Sequence, residues 1–555
     1  MLFGMNIRTE APDEGNVQDL RPDTDKNYIV SATAAGPDIK DGTRSTVDYY
    51  DGLGRPVQSV MHAGTQDASD IILSSIAYDM FGRKSSTMSP VPSSYGTGAW
   101  TSYGDALEAA ATFHRDAVPE SRTEYTPDPL SRIAAESGPG QEWFAAGSKV
   151  NYREYSEGLQ GYKAGGSRER PVLEYAVSEF VSDRILVSSV TDEDGKVTRT
   201  FSDGEGKVLC KEDNTGRTDY AYDRFGNLCF VLPPQIGGPV PAQEDLDRFA
   251  FMYRYDSRNR CIGKKMPGSE WVEYIFDSSD QVIMSQDGNM RSKGEWAVSI
   301  PDVFGREAVS GVLSGEPDRA AVEAVAVRAT PDMGHPYGYS VNIPVMDRMS
   351  ITEVTYYDSY DFLTLPDFTD SRLMYHEDSS YGEAYGDTDD RVAHKGLVTG
   401  KMTSLEDGDG CAWDAFYYDY RKRQVQTRRA TPEGGTEVLH TAYAYTGEVL
   451  EELMTVMPRP GAKVDSIHTI RSYDRCGRLL SEAVEVNGGS PAVTRYKYDA
   501  IGRMESVEYG LWGKTAETSY LYNVRDWTTG QLTVAIGDTL FASRTLYNSG
   551  VSLEG

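Results

Sequence analysis

The chain has 555 residues, with 85 acidic and 55 basic side chains and a formal net charge of −30. This acidity argues against nucleic acid or an anionic membrane surface as a partner, because both repel negative charge. The 36 tyrosines and 54 glycines are typical of strands and turns rather than of helical bundles. The five cysteines show no Cys-x-x-Cys spacing, so neither a disulfide framework nor a zinc site is predicted.

The N-terminal segment, residues 1–27, is polar and is predicted to be a disordered leader. Its start, MLFGMNIRTE, has no apolar run of signal-peptide length, and no stretch of the chain is long enough for a membrane span. The sequence is therefore expected to carry no export signal of its own, and localisation stays open.

From Tyr49 onward the chain repeats one short motif. The clear copies are YYDGLGRPVQSV from Tyr49, AYDMFGRKSS from Ala77, AYDRFGNLCFV from Ala221, YRYDSRNRCIGKK from Tyr253, SYDRCGRLLSEA from Ser472 and YKYDAIGRMESVEY from Tyr496. From Asp474 the next copies follow at Asp499 and Asn523, steps of 25 and 24 residues. A step of this size suits two strands and two turns.

Each copy has the chemistry of a β-hairpin. Pairs such as Tyr496 and Tyr498 put two rings on one face of a strand, because side chains alternate with a period of two. The following Asp can accept turn N–H groups, Gly supplies a positive φ, and Arg or Lys opens the return strand near the Asp. The predicted motif residues are Tyr50, Asp51, Gly54, Arg55, Tyr78, Asp79, Gly82, Arg83, Tyr222, Asp223, Gly226, Tyr255, Asp256, Tyr473, Asp474, Gly477, Arg478, Tyr498, Asp499, Gly502 and Arg503.

The repeat predicts an all-β fold in which hairpins pair laterally into a long sheet, since one hairpin cannot bury its aromatic face alone. Short helices are predicted at residues 104–117 and 241–251 from their composition. Residues 318–330 suit a helix through their alanines or a strand through VAVRA, and the helix is favoured. The acidic segment 358–391 is predicted to be a long exposed loop. The last hairpin, from Tyr520 to Leu546, is predicted to leave an open sheet edge that favours self-association.

Signals for catalysis or metal binding are weak. Residues 192–195 (DEDG) and 407–410 (DGDG) cluster carboxylates as calcium loops do, but they lack the spacing of an EF-hand and are interpreted as hairpin turns. His114 suits a catalytic base or a half-buried helix residue, and the latter is favoured. His335, His376, His394, His440 and His468 stand apart from one another. No catalytic residue, cofactor or metal ligand is therefore predicted.

Several segments resemble the RHS (rearrangement hotspot) or YD-repeat proteins of bacteria, of the type that has an N-terminal domain of unknown function before the repeats. The resemblance is carried by YYDGLGRPVQSV, YDMFGRKSSTMSPVP, YTPDPLSRIAAESGPGQEW and YAYDRFGNLCFVLPP, and near the end by YLYNVRDWTTG. It implies a domain at 28–175, a YD-repeat sheet at 176–555, and a spiral of hairpins forming part of a hollow shell. In several relatives that shell encloses a C-terminal toxin or effector domain, and the family is secreted or displayed on the cell surface.

The sequence departs from that family pattern in two ways. Members usually carry an export signal, and they usually continue into further repeats, a core that plugs or processes the shell, and a variable C-terminal domain. This sequence ends at Gly555, so it is expected to resemble the N-terminal half of such a protein. The acidic residues of the self-cleaving cores cannot be placed on it.

The favoured function is a structural scaffold that forms part of such a shell, with a toxin domain or the remaining core as its partner. The first alternative is a surface protein that contacts glycans or a neighbouring cell through exposed Tyr and Trp side chains. The second is a glycan-active enzyme with two convergent acids, which the sequence cannot identify among 85 acidic residues.

Overall fold

The computed structural model of the chain is built mainly from antiparallel β-strands, with few short helices. This confirms the all-β fold that the repeat predicts. The structure describes residues 20–34, 43–64, 69–93, 95–144, 148–155, 159, 161–176, 185–236, 240–365, 371–381, 394–406, 410–511 and 514–547. No helix in these ranges is long and apolar enough to cross a membrane.

The elements follow one another in chain order. The first strands are β1 (Asn27–Ala34), β2 (Thr43–Tyr50), β3 (Pro56–His62), β4 (Ile71–Tyr78), β5 (Lys84–Met88), β6 (Val91–Pro92), β7 (Glu120–Tyr125), β8 (Ile133–Ser137), β9 (Ser148–Tyr155), β10 (Gly161–Ser167), β11 (Arg170–Ala176), β12 (Ile185–Thr191), β13 (Val197–Ser202), β14 (Val208–Asp213), β15 (Gly216–Tyr222), β16 (Leu228–Leu232), β17 (Phe251–Tyr255), β18 (Cys261–Lys265) and β19 (Trp271–Phe276). They continue as β20 (Val282–Gln286), β21 (Glu295–Pro301), β22 (Glu307–Ser314), β23 (Ala329–Pro331), β24 (Tyr339–Val341), β25 (Met349–Tyr357), β26 (Val398–Ser404), β27 (Cys411–Tyr418), β28 (Gln424–Ala430), β29 (Thr436–Tyr443), β30 (Val449–Met457), β31 (Asp465–Tyr473), β32 (Leu479–Val486), β33 (Ala492–Tyr498), β34 (Met504–Leu511), β35 (Lys514–Tyr522), β36 (Thr528–Ala535) and β37 (Asp538–Arg544). The helices are α1 (Tyr103–His114), α2 (Gln141–Phe144), α3 (Gln243–Phe249), α4 (Gly288–Lys293) and α5 (Arg319–Ala324).

The chain divides into two compact units. Unit 1 combines Met1–Ser148, His440–Met454 and Asp465–Gly555, and unit 2 combines Lys149–Leu439 and Thr455–Val464. Unit 1 therefore gathers segments from both ends of the sequence. The division by sequence into 28–175 and 176–555 stays a prediction.

The N-terminal part of unit 1 is an antiparallel sheet that packs against a helix. Strands β1 to β4 pair in order. Val47 and Tyr49 on β2 are fully buried together with Ala106 and Ala110 of α1, so alternate residues of the strand face the helix. Helix α1 begins one residue before the predicted range 104–117 and ends three residues before the end of that range.

The predicted leader is anchored at its C-terminal end. Leu20 packs against the cluster formed by β2 and α1, and the Arg21 N–H donates to the Thr97 carbonyl over 2.7 Å. One apolar side chain in the polar segment thus lies beside the core, and the disorder of the segment 1–27 stays a prediction. Residues 1–19 lie outside the described residues.

The C-terminal part of unit 1 is a run of hairpins. Strands β31 to β37 pair antiparallel, each with the next. Most of their side chains are half-buried. In the described part of the chain, β37 pairs with β36 on one side, and all seven of its residues are exposed. The self-association that the open edge favours stays a prediction.

Unit 2 contains a longer antiparallel series. Strand β9 pairs with β12, pairing continues in order from β12 to β22, and β22 then pairs with β25 and so on to β28. Its largest apolar cluster includes Trp296, Ile300, Val309 and Met402.

The segment after β25 differs from its prediction. Instead of forming an exposed loop over 358–391, it makes tight 3-10 turns at Asp361–Thr364 and Ser371–Leu373 and buries Phe362 and Leu373 in the cluster. The Phe362 ring stacks on Tyr356 with centroids 4.5 Å apart. It also lies where a Gly400 side chain would be, 2.2 Å from the position of an added Cβ. A few apolar side chains are thus enough to bring an acidic segment into the core. Residues 366–370 and 382–391 are outside the described residues.

The shorter helices agree with their predictions to different degrees. Helix α3 lies within the predicted range 241–251. Helix α5 fills only the first half of 318–330, and Ala329–Pro331 forms strand β23 instead. Helix α4 was not predicted; it begins after Asp287, whose side chain accepts from the Met290 N–H, and ends at Gly294.

Candidate functional site: the aspartate turn and the tyrosine bridge

The repeated motif folds as a hairpin turn closed by its acid. In the turn after β33, the Asp499 N–H donates to the Arg503 carbonyl over 2.8 Å, and the Gly502 N–H donates to the Asp499 carbonyl over 3.0 Å. The N–H groups of Ile501 and Arg503 donate to Asp499 Oδ1 over 3.0 and 2.9 Å. Gly502 has φ 92°, the left-handed conformation that closes a three-residue hairpin loop with a bulge.

The same arrangement recurs through both units. In every case the N–H groups two and four residues after the acid or amide donate to its Oδ1. The turns closed in this way begin at Asp51, Asp79, Asp192, Asp203, Asp223, Asp256, Asp277, Asp302, Asp419, Asp474, Asp499 and Asn523. The DEDG segment at 192–195 is thus one of these turns, whereas residues 407–409 of DGDG lie outside the described residues.

The predicted motif residues occupy six of these turns. The Asp and Gly pairs stand at Asp51/Gly54, Asp79/Gly82, Asp223/Gly226, Asp474/Gly477 and Asp499/Gly502, with Asn259 in the left-handed position after Asp256. The arginine that follows the turn binds its acid through Nε in five of them: Arg55, Arg83, Arg260, Arg478 and Arg503, over 2.6 to 2.7 Å.

A second contact, absent from the sequence prediction, joins many of the hairpins to the one before. A tyrosine at or just after the end of one strand, in most cases directly before the turn acid, donates its hydroxyl to the carbonyl of the residue five positions after the first residue of the preceding turn. Tyr498 donates to the Leu479 carbonyl and Tyr522 to the Met504 carbonyl, both over 2.9 Å. We call this contact the tyrosine bridge. Further bridges are Tyr78 to Pro56, Tyr125 to Lys84, Tyr222 to Val208, Tyr255 to Leu228, Tyr357 to Glu307, Tyr473 to Val449 and Tyr547 to Thr528.

The turn arginine also covers the next tyrosine ring. The guanidinium carbon of Arg55 lies 4.3 Å from the centre of the Tyr78 ring, and that of Arg503 lies 4.9 Å from the Tyr522 ring. One arginine therefore pairs with the acid of its own turn and stacks on the tyrosine of the next hairpin. Because Tyr and Asp are adjacent, a single dipeptide supplies both the bridge to the previous hairpin and the closure of the turn.

The pKa shifts follow from these contacts. The N–H and guanidinium of Arg55 and the N–H of Leu53 lower the pKa of Asp51 below its usual 3.8. Burial raises the pKa of the bridging Tyr498 and Tyr522 above 10.0. At neutral pH the acid is therefore charged and accepts hydrogen bonds, and the tyrosine keeps the proton that it donates.

The structure also places the histidines. His114 Nε2 lies 2.8 Å from the Pro90 carbonyl, and burial lowers its pKa, as the half-buried interpretation expects. His62, which sequence reasoning missed, lies with Nδ1 2.9 Å from Oδ1 of the fully buried Asp70. The same carboxylate accepts the N–H groups of Ala63 and Gly98, so it serves the local backbone as well. Within the described ranges, no three His, Cys, Asp or Glu side chains are grouped to hold a metal ion.

Comparison with protein families matches the N-terminal part of the chain, and comparison with solved structures covers most of it at low similarity. Residues 25–156 match a domain of unknown function, DUF6443. Crystal structures of TcdB2-TccC3 are similar at 11% identity (TM-score 0.40, 94% of this chain and 28% of that chain), and without the hypervariable C-terminal region at 11% (TM-score 0.40, 90% and 26%). The TcdB2-TccC3-TEV structure is similar at 12% identity (TM-score 0.36, 93% and 27%). The chain thus spans about a quarter of the length of these structures, and no curated protein matches it.

Proposed function

We propose that the chain is a structural YD-repeat scaffold that forms part of an RHS-type shell, with a toxin or effector domain or the remaining core as its partner. The observation that carries the proposal is the tyrosine bridge. It joins successive hairpins at many points of both units through a tyrosine hydroxyl and a backbone carbonyl, so these hairpins are added in the same register. A scaffold that adds hairpins in a repeated register suits an extended enclosing sheet.

The position of the matched domain supports the same proposal. The match at residues 25–156 lies on the N-terminal side of most hairpins, which is the order that the YD-repeat resemblance implies. Two of the aspartate turns, at Asp51 and Asp79, lie inside the matched range and close as the later ones do. The domain is therefore built from the same hairpin unit as the repeats, and its hairpins can be the first of the series.

We also propose that this scaffold acts without catalysis. The most frequent candidate groups, the turn acids and the adjacent tyrosines, are engaged in turn closure and bridges. An acid whose oxygens accept two N–H groups and an arginine is held in the turn and is not available to a substrate. Incubation of the full chain with polysaccharides should release no reducing sugar, and release that depends on a turn acid would contradict this.

Exposed rings at the turn tips favour a surface-contact function as the second candidate. Phe81 and Phe304 each occupy the third position of a turn and are 71% and 75% exposed. Rings held at the edge of a rigid sheet could stack on sugars or on a neighbouring protein. A glycan screen with Phe81→Ser and Phe304→Ser tests this, since binding that both variants retain does not use the tips.

Electron microscopy of the purified full chain tests the shell proposal. The expected particle is a curved sheet around a cavity, and a flat or solid particle would contradict it. The cargo is tested separately by reading the gene on both sides of this coding segment. A continuing YD-repeat core and a variable C-terminal domain are expected, and an unrelated neighbour would remove the toxin from the proposal.

A further inference from the structure

Two segments singled out by their sequence meet in unit 1, although they are 386 residues apart. The first is the glycine-rich SGPGQEW at residues 137–143, and the second is the YNVRDW at residues 522–527. Arg525 Nε donates to the Pro139 carbonyl over 2.6 Å. The guanidinium carbon of Arg525 lies 4.6 Å from the Trp143 ring and 5.2 Å from the Trp527 ring. The two tryptophans meet edge to face with centroids 5.6 Å apart.

The turn at 523–527 keeps the shape of the repeat but changes its residues. Asn523 replaces the acid and accepts the N–H groups of Arg525 and Trp527 over 2.9 and 3.0 Å. Asp526, with φ 61°, replaces the glycine. Trp527 replaces the arginine that elsewhere binds the turn acid. The backbone therefore needs none of these replacements to form the hairpin, and their side chains point to another role.

That role is visible on the N-terminal side of the contact. The segment after β8 is held by hydrogen bonds from the Gly140 N–H to the Val118 carbonyl and from the Gln141 N–H to Asp116 Oδ1. A Cβ added to Gly138 would lie 2.6 Å from Arg525 Nη2. The guanidinium thus occupies the space that a side chain at residue 138 would need. Val524, at the second position of the turn, is buried with only 6% of its surface exposed.

We propose that the surface Gly138–Phe144 of the N-terminal domain is a recognition site for one hairpin turn, the turn that carries arginine at its third position and tryptophan at its fifth. The site distinguishes this turn from the standard ones because a standard turn places its fifth-position arginine on its own acid. It thereby determines which of the successive hairpins docks on the N-terminal domain. This role does not depend on shell formation or on a cargo.

Neighbouring turns also contact the same domain. Arg44 Nε donates to the Arg475 carbonyl over 2.6 Å, and Arg44 pairs with Glu448 over 2.7 Å. The Arg475 contact uses a backbone carbonyl, which every turn offers, and the Glu448 contact is an ion pair. The Arg525 contact adds the edge-to-face packing of Trp143 on Trp527, so we assign to it the register of docking.

A turn exchange in the full chain tests the proposal. The turn at 523–527 receives the sequence of the turn at 499–503 through Asn523→Asp, Val524→Ala, Arg525→Ile, Asp526→Gly and Trp527→Arg. Because both turns share one backbone geometry, the hairpin is expected to form. Amide hydrogen exchange at Gly140, Trp143 and Phe144 should become about tenfold faster or more, while exchange in β21 and β22 stays unchanged. Unchanged exchange at residues 140–144 would overturn the proposal.

Two single-residue variants keep the test decisive if the exchanged chain fails to fold. Gly138→Ala leaves the turn intact and places a methyl group against the Arg525 guanidinium. It should speed exchange both at residues 140–144 and in the turn at 523–527. Gly104→Ala is the matched control, because an added Cβ there meets nothing within 4 Å. Equal exchange in the two variants would overturn the proposal.

Discussion

The hairpins β21–β22 in unit 2 and β33–β34 in unit 1 have the same turn but differ in how deeply residues of their first strands are buried. Arg306 and Arg503 each bind the turn acid through Nε over 2.7 Å, and Tyr357 and Tyr522 bridge to the residue after each arginine over 2.8 and 2.9 Å. Ile300 on β21 is nevertheless fully buried, whereas every residue of β33 is half-buried or exposed.

The difference comes from the segments that pack over the sheet. In unit 2, segments between strands contribute Val327, Phe362 and Leu373 to the same cluster as Ile300, and we call these three side chains the cover. The turn and the bridge form equally well with and without this cover. Two sources of stability are therefore separable in this fold: a polar one that specifies each hairpin, and an apolar one that only some hairpins receive.

Removal of a side chain of the cover should cause the largest loss of stability. Phe362→Ala is expected to destabilise unit 2 by about 3–5 kcal/mol, because it leaves a cavity beside Gly400 and Tyr356. Urea unfolding combined with hydrogen exchange in β25 and β26 measures the loss. Phe541→Ala on the exposed strand β37 is the control and should stay within about 0.5 kcal/mol. Equal losses would mean that the cover does not stabilise unit 2.

Strain in the open hairpin should come next. Gly502→Val places a β-branched residue at φ 92°, with its Cβ 2.8 Å from Arg478 Nη1, and is expected to cost about 1–3 kcal/mol. Ala500→Ser, two residues away at the turn tip, should be close to neutral. Melting curves of the two variants compare them directly. Identical melting temperatures would contradict the assignment of Gly502 to the left-handed position.

The sequence was sufficient for the turn because the turn is local. Asp499, Gly502 and Arg503 stand within five residues, and their chemistry admits few other structures. The tyrosine bridge was missed because it joins residues on different hairpins, such as Tyr498 and Leu479, through a backbone carbonyl that has no sequence signature. The frequent adjacency of tyrosine to the turn acid was the available signal, since packing alone would accept phenylalanine equally well.

The cover and the docking contact were beyond local reasoning for a different reason. The segment 358–391 is rich in acidic residues, and Phe362 enters the core through its fit beside Gly400 and its stacking on Tyr356. Likewise, nothing near Arg525 in sequence indicates Trp143, which is far away along the chain. Both contacts depend on which remote segments the paired hairpins bring together. One copy of the repeat resembles the others, so its sequence does not encode these long-range contacts.

Loss of one tyrosine bridge should have a moderate effect that is similar in both regions. Tyr357→Phe in the covered hairpin and Tyr522→Phe in the open one each remove one hydroxyl, with an expected cost of about 0.5–1.5 kcal/mol. Tyr520→Phe, two residues before Tyr522 on the same strand, is the control and should cost less. Urea unfolding of the three variants measures these costs. A much larger loss for Tyr357→Phe would show that the bridge depends on the cover.

The smallest expected effect on stability distinguishes the contribution of a turn acid's charge from that of its hydrogen bonds. Burial opposes ionisation of Asp256, but the N–H and guanidinium of Arg260 outweigh it and hold its pKa below 3.8. Because the folded pKa is lower than the unfolded one, this stabilisation is present above pH 3.8 and is lost as pH falls through the folded pKa. Asp256→Asn keeps an acceptor oxygen but cannot titrate there. Between about pH 6 and pH 2.5 its melting temperature should therefore fall less steeply than that of the unmodified chain. Parallel curves would mean that Asp256 is held by hydrogen bonds alone, in which case its ion pair with Arg260 adds nothing to the hairpin.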